Sequence, residues 1–228
     1  MTALFGADEA GRGPVLGSLF AAAVVVTDDT VLPDGIDDSK RLSPSRREEL
    51  ADALRAGERI ATAVAEIPPE RIDDPAADMN ALCVEAQARA IDAAIDAASE
   101  RADDDRAAID EVTGIVDACD VNEDRFARRV RDQLSFDVDL TAEHGADENH
   151  SIVGAASVLA KVARDAHVDA LATEYGPVGS GYPSDPATRT FLAEYVAEHG
   201  DLPECARRSW STCADVLAAA EQSGLADF

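Results

Sequence analysis

The chain has 228 residues, enough for one good-sized core or a main domain with a small appendage, and 46% of them are hydrophobic, which excludes an acidic disordered protein. Its 46 acidic against 20 basic residues give a formal net charge of −26, and taken alone such a surface repels a polyanion. Only two of the basic residues are lysines, Lys40 and Lys161. Acidic excess with lysine nearly absent reads as adaptation to a very salty cytoplasm, where the Debye length falls to about 3 Å at molar salt, so the charge reports habitat and leaves nucleic acid open.

Nothing resembles a signal peptide, and the longest apolar run, Leu19 to Val26, is far too short to span a bilayer. A soluble, cytoplasmic monomer with no membrane association is expected. Cys83, Cys119, Cys205 and Cys213 show no C-x-x-C spacing and read as free thiols, with neither disulfides nor a zinc site expected.

In chain order, residues 3–8 form a short strand, Gly11 to Pro14 a turn, and Ser18 to Val26 a β-branched apolar strand. Ser43-Pro44 is an N-cap with proline at the first helical position, opening a helix to about Arg55. Residues 59–67 make a third strand, closed by Pro68-Pro69. A long alanine-rich helix runs from Asp78 to about Ser99, with Leu82, Ala86, Ile91 and Ile95 at helical spacing. An acidic loop follows at 100–105. Residues 112–116 are a strand leading into Asp117, Asn122 to Gln133 a helix, and 136–142 an alternating strand, suited to an edge. Helices follow from Ser151 to Thr173, from Pro186, and from near Trp210, with a glycine- and proline-rich loop at 176–185. These elements form a mixed five-stranded sheet flanked by helices, with a helical C-terminal extension. The expected division is a catalytic domain over 1–173 and a substrate-contacting loop with helical extension over 174–228.

The chemistry concentrates at Gly6-Ala-Asp-Glu-Ala-Gly-Arg-Gly-Pro14. Asp8 and Glu9 can hold a hard divalent cation through oxygen, and Gly11 and Gly13 let backbone approach a ligand and offer N–H donors. Because strand residues alternate faces, both acids serve one site only if the strand ends or bulges there. Further acids or bases stand at Asp38-Ser-Lys40, at Asp117-Ala-Cys-Asp120, and at Asp147 between a strand and the next helix. That helix carries Ser157, Lys161 and Arg164 as one polar stripe. Both lysines fall in these stretches, which suggests that an ammonium is wanted there.

With these motifs the sequence resembles an archaeal ribonuclease HII over nearly its whole length. Asp8-Glu-Ala-Gly-Arg-Gly-Pro14, Asp38-Ser-Lys-Arg-Leu-Ser-Pro44, Asp117-Ala-Cys-Asp-Val121, Ala155-Ala-Ser-Val-Leu-Ala-Lys-Val-Ala-Arg-Asp165 and Gly179-Ser-Gly-Tyr-Pro-Ser-Asp185 occur in the family's order. The resemblance implies an α/β, ribonuclease H-like fold and metal-dependent cleavage of RNA in RNA–DNA hybrids and 5′ to ribonucleotides embedded in duplex DNA. The products that the resemblance implies carry 3′-hydroxyl and 5′-phosphate ends. It implies that Asp8, Glu9, Asp117 and Asp147 bind two Mg²⁺ or Mn²⁺ ions, that Gly11, Arg12 and Gly13 meet the ribose 2′-hydroxyl, and that Tyr182 packs on the neighbouring sugar. The resemblance also makes Lys40, Ser157, Lys161 and Arg164 candidates for phosphate contacts or for support of the site. The acids alone also suit a resolvase-like nuclease of the same fold or an acidic scaffold binding hydrated salt.

Two positions depart from the pattern: Gly145 stands where a lysine is usual, removing a charge near the site, and Gly17-Ser18 replaces Gly-Pro. His144 reads as structural. The C-terminal Gln222, Leu225 and Phe228 match the spacing of a peptide that docks in the replication sliding clamp, the aliphatic and aromatic residues sharing one helical turn.

Overall fold

A computed structural model describes residues 2–27, 29–36, 42–101 and 111–226, with backbone alone for residue 29 and residues 223–226. Lys40 with its neighbours Asp38 to Arg41, most of the acidic stretch at 100–105, and Phe228 lie outside the described residues. The strands are β1 (Thr2–Ala10), β2 (Leu19–Val26), β3 (Ile60–Ile67), β4 (Glu111–Asp117) and β5 (Asp139–Glu143). The helices are α1 (Pro44–Ala56), α2 (Pro69–Ile72), α3 (Met79–Arg101), α4 (Glu123–Arg131), α5 (Ala146–Asn149), α6 (Ser151–Tyr175), α7 (Pro186–His199) and α8 (Ser211–Ala226). The sheet order is β3-β2-β1-β4-β5, with β1 antiparallel to β2 and parallel to β4, and β4 parallel to β5. The expected edge position of the last strand is thereby found.

Local chemistry accounts for the main elements. Every residue of β2, Leu-Phe-Ala-Ala-Ala-Val-Val-Val, is buried, the near-continuous apolar run of a strand covered on both faces. Ser43 caps α1 by accepting from Arg46 N at 3.3 Å, with Pro44 at the first turn. Leu50 and Leu54 of α1 then pack with Val24 and Val26 of β2 and with Ile152, Val158 and Leu159 of α6, each such side chain stabilising the fold by about 1.5–3 kcal/mol on burial. Gly6 lets α6 come this close to β1: a Cβ there would lie 2.6 Å from the Ile152 carbonyl carbon. The sheet's central strand and the helix bearing Ser157 and Lys161 thus share a tight seam.

The chain divides into two compact units, one of Met1–Ala10, Phe20–Glu66 and Asn80–Ala163, the other of Gly11–Leu19, Ile67–Met79 and Arg164–Phe228. In the second unit Val15, Leu16, Leu171, Phe191, Leu192 and Val196 form a core of their own. Tyr175 joins it edge to face with Phe191 and Tyr195, at centroid distances of 6.1 and 6.0 Å, and Phe191 and Tyr195 lie tilted at 5.9 Å. No helix among the described residues is long and apolar enough to cross a membrane.

Candidate active site

Asp8 and Glu9 meet one site without the strand end or bulge that alternation demands. β1 continues to Ala10, and its ladder with β2 runs unbroken through Asp8↔Ala22 and Glu9↔Ala21. The pairing that stops is the one with β4, at Ala7↔Val116, and Asp117 is the last residue of β4. A carboxylate oxygen from each of Asp8, Glu9 and Asp117 lies within 4.8 Å of the other two.

Each acid is held by a neutral or basic partner. Asp8, 5% exposed, accepts from Glu9 N at 2.7 Å and from the Ser157 hydroxyl. Ser157 in turn accepts from Lys161 Nζ at 2.5 Å, so the ammonium, the hydroxyl and the carboxylate form a relay. Gln87, fully buried on α3, donates from Nε2 to Glu9 Oε2 at 2.5 Å and to the Asp117 carbonyl at 3.0 Å. Asp117 Oδ1 accepts from Ala146 N at 2.8 Å, which ties α5, and with it Asp147, to the end of β4. Asp147 stands in this short helical turn, where the sequence suggested a connecting segment, and its Oδ2 is 3.8 Å from Lys161 Nζ. It lies outside the group of three.

The electrostatics record the crowding. Burial, then the charge of Asp117, push Asp8 up to about 7 against the opposing pull of Ser157 and Lys161. Burial and the charge of Asp8 likewise raise Glu9 well above the usual carboxylate range. An all-oxygen donor set of mutually repelling acids fits a hard divalent cation, which would favour their ionised forms.

The second unit contains Gly11, Arg12, Gly13, Arg164 and Tyr182 of the expected residues. Gly11 has φ 88, and a Cβ there would lie 2.8 Å from the Ser18 carbonyl, so glycine is required. The Gly11–Gly13 turn is fastened by a residue that the motifs do not mark. Arg207, 0% exposed, donates to the carbonyls of Gly11 at 2.6 Å, Arg12 at 3.0 Å and Gly17 at 2.8 Å. Tyr182, 39% exposed, lies under the Arg164 guanidinium, 5.2 Å from ring centroid to Cζ, and 3.4 Å from where a Gly13 Cβ would sit. Arg164 also donates to the Ser180 carbonyl. Thr188 Oγ1 accepts from Gly181 N and donates to Val178 O, which stiffens the loop carrying Tyr182. Gln222 and Leu225 fall within α8, and Gln222 is exposed.

His144 is fastened to the Asp120 carbonyl at 2.7 Å and to Glu123 at 2.8 Å, a structural clip. Gly145, with φ 67, leads into α5 with open space where a side chain would be. Asp120, buried, pairs with Arg125.

Fold and site together define a nuclease of the ribonuclease H class, whose acids gather beside the end of β4 on a mixed five-stranded sheet. The Ribonuclease HII family pattern matches residues 5–213. The ribonuclease HII of Haloarcula marismortui is 59% identical over 224 residues, 98% of this chain and 99% of that protein. The crystal structure of the ribonuclease H2 from Pyrococcus horikoshii superposes with a TM-score of 0.83 at 35% identity, covering 96% of this chain and 99% of the other. Ribonuclease HII from Archaeoglobus fulgidus, solved in complex with PCNA, superposes with a TM-score of 0.75 at 36% identity, covering 95% and 96%. The chain belongs to the ribonuclease HII family and is an endoribonuclease acting on RNA–DNA hybrids and on ribonucleotides embedded in duplex DNA.

Proposed function

We propose that Asp8, Glu9, Asp117 and Asp147 hold the divalent cations of this reaction, Mg²⁺ or Mn²⁺, in a two-metal arrangement. The observation that carries the reading is the convergence of Asp8, Glu9 and Asp117 oxygens within 4.8 Å, with Asp8 pushed up to about 7. Bound there, the ions supply a water nucleophile of lowered pKa and charge neutralisation at the leaving 3′-oxygen. The chain's own groups aim the ligands: the Lys161–Ser157 relay fixes Asp8 and favours its ionised form, Gln87 orients Glu9, and Asp117 anchors the turn bearing Asp147.

In this reading the Gly11-Arg12-Gly13 backbone meets the 2′-hydroxyl, the one group that distinguishes RNA from DNA at the cut. Its support is the Arg207 clamp, which fixes the three carbonyls and therefore the directions of the N–H groups between them. Tyr182 packs on the adjacent sugar, and Arg164, Lys161, Ser157 and Lys40 contact or support the phosphates. A saline cytoplasm accounts for the charge, in keeping with the Haloarcula relative. The C-terminal Gln222, Leu225 and Phe228 dock on a sliding clamp, a partner class suggested by the complex of the Archaeoglobus protein.

A duplex with one embedded ribonucleotide, incubated in molar KCl with Mg²⁺ and then with Mn²⁺, tests the reading. Cleavage 5′ to the ribonucleotide is expected, with an all-DNA duplex inert. Comparable cleavage of both overturns the role given to residues 11–13. For the clamp, the intact protein is expected to bind the cognate clamp and a chain ending at Ala220 to lose that binding; equal affinity removes this partner.

A further inference from the structure

Glu9 belongs to a second group of donors as well, whose two cysteines the hydrolytic site does not use. Cys83 lies on α3 one turn before Gln87, and Cys119 lies two residues past Asp117. Their two Sγ atoms and a carboxylate oxygen of Glu9 all lie within 4.8 Å of one another. All four cysteines of the chain are thiols. Cys83 is fully buried, while Cys119 keeps part of its surface exposed and gives a cation a way in. No sequence spacing marks the pair, because β4 and α3, distant in the chain, bring it together.

The chemistry of this trio differs from that of its neighbour. Asp8, Glu9 and Asp117 offer only hard oxygen, whereas two thiolates and one carboxylate select a borderline or soft d¹⁰ cation over magnesium or manganese. Tetrahedral bonds of about 2.0–2.3 Å place donors about 3.5–3.8 Å apart, so the widest edge of the trio has to close by little more than about 1 Å. Gln87 Oε1, on the same amide whose Nε2 meets Glu9 and Asp117, is buried and has no hydrogen-bond partner among the described residues. A hydrated cation at Glu9 brings the donor that this acceptor lacks.

We propose that Glu9, Cys83 and Cys119 form a site for a thiophilic divalent cation of the zinc or cadmium class, which engages Glu9 and so inhibits the enzyme. On binding, each thiol gives its proton to solvent as its metal–sulfur bond forms, and Glu9 binds as the carboxylate, any proton it holds passing to solvent as well. Occupation removes Glu9 from the Asp8 and Asp117 group. The inhibitory half rests on the role proposed above for Glu9, and the binding half does not.

The full chain, kept reduced and free of other divalent ions, is titrated with Cd²⁺ while the ultraviolet thiolate-to-cadmium charge-transfer band is followed, and Zn²⁺ is then added as competitor. One equivalent is expected to bind, displaced by Zn²⁺. The band should survive in Cys205→Ala and weaken by about tenfold or more in affinity in Cys119→Ser. It should disappear in Cys83→Ala/Cys119→Ser. The partly exposed Cys119 makes the single variant decisive even if the double variant folds poorly. No band in the wild type, or an undiminished one in Cys119→Ser, overturns the site. In parallel, Zn²⁺ is titrated into the Mn²⁺-supported cleavage assay. Cys119→Ser is expected to cleave as the wild type does without Zn²⁺ and to need about tenfold more Zn²⁺ for inhibition. Cadmium binding with equal Zn²⁺ inhibition in both proteins keeps the site and overturns the inhibitory role of Glu9.

Discussion

Arg207 Nη2 donates to the Gly11 carbonyl at 2.6 Å although the two residues stand at opposite ends of the chain. The guanidinium is wholly buried and is spent on three carbonyls of the turn at 11–17, with the Trp210 ring 5.1 Å from its Cζ. It is a positioning residue. Arg207→Ala strands buried acceptors and is expected to lower stability by about 2–4 kcal/mol. Arg207→Lys, which keeps the charge but not the fork, should fold. Its kcat/KM on a duplex with one ribonucleotide should drop about 10–100-fold through misplacement of the turn. Denaturant unfolding and steady-state kinetics on both variants check this, and an unimpaired lysine variant sinks it.

The buried Asp8 makes the metal-free protein sensitive to pH in an uncommon direction. Its folded value of about 7 stands above the ordinary aspartate value of 3.8, so the folded state holds a proton that the unfolded state releases. Stability from this group is therefore complete below pH 3.8, is lost progressively as pH rises to about 7, and stays flat above, a loss of at most about 4 kcal/mol. In chelator, Asp8→Asn should be more stable than the wild type at pH 8 and gain nothing at acid pH. Urea midpoints at the two pH values decide it; the same difference at both removes the linkage.

Much of this arrangement is legible in the sequence because it rests on local rules. The apolar run of β2, the Ser43-Pro44 cap of α1 and the periodicity of α3 each announce their element. Boundaries fail where tertiary pairing takes over: β1 continues to Ala10 because β2 keeps pairing as far as Phe20. β5 starts at Asp139 because the preceding turn is tied through Ser135 to Asp92. α5 escapes notice since four residues carry no periodicity. Gln87 could have been found, being a polar residue on the stripe Cys83, Ala90, Ile91 and Ala94, a position that implies a buried partner. Arg207 gives no such signal, because its partners are backbone groups far away in sequence.

Asp117 has two separable duties, and its substitutions should divide them. One oxygen accepts from Ala146 N, which the amide oxygen of Asn can still do. Asp117→Asn is therefore expected to keep the fold, gain stability without metal from lost repulsion with Asp8, and cleave about 10²–10³-fold more slowly. Asp117→Ala should add a loss of stability as α5 comes loose. Thermal unfolding beside single-turnover cleavage separates the effects, and near-normal turnover by the Asn variant ends the assignment of Asp117 to the metal site.

The net charge of −26 sets two salt effects against each other. Contacts to phosphate release counterions, so binding of a nucleic acid ordinarily weakens as salt rises. The acidic surface repels the same polyanion and itself, and this repulsion reaches about 30 Å at 0.01 M salt but only about 3 Å at 1 M. Exposed pairs such as Arg46–Glu49 at 2.9 Å and Arg55–Asp52 at 3.4 Å offset little of it. Lys161, close to Asp147 and bonded to Ser157, sits where screening matters less. Cleavage is thus expected to rise with KCl while long-range repulsion is being removed, then to fall once counterion release dominates. Initial rates across a KCl series, with circular dichroism at each point, test this. A maximum at the lowest salt in a protein folded throughout would show that the acidic surface plays no part in the approach of substrate.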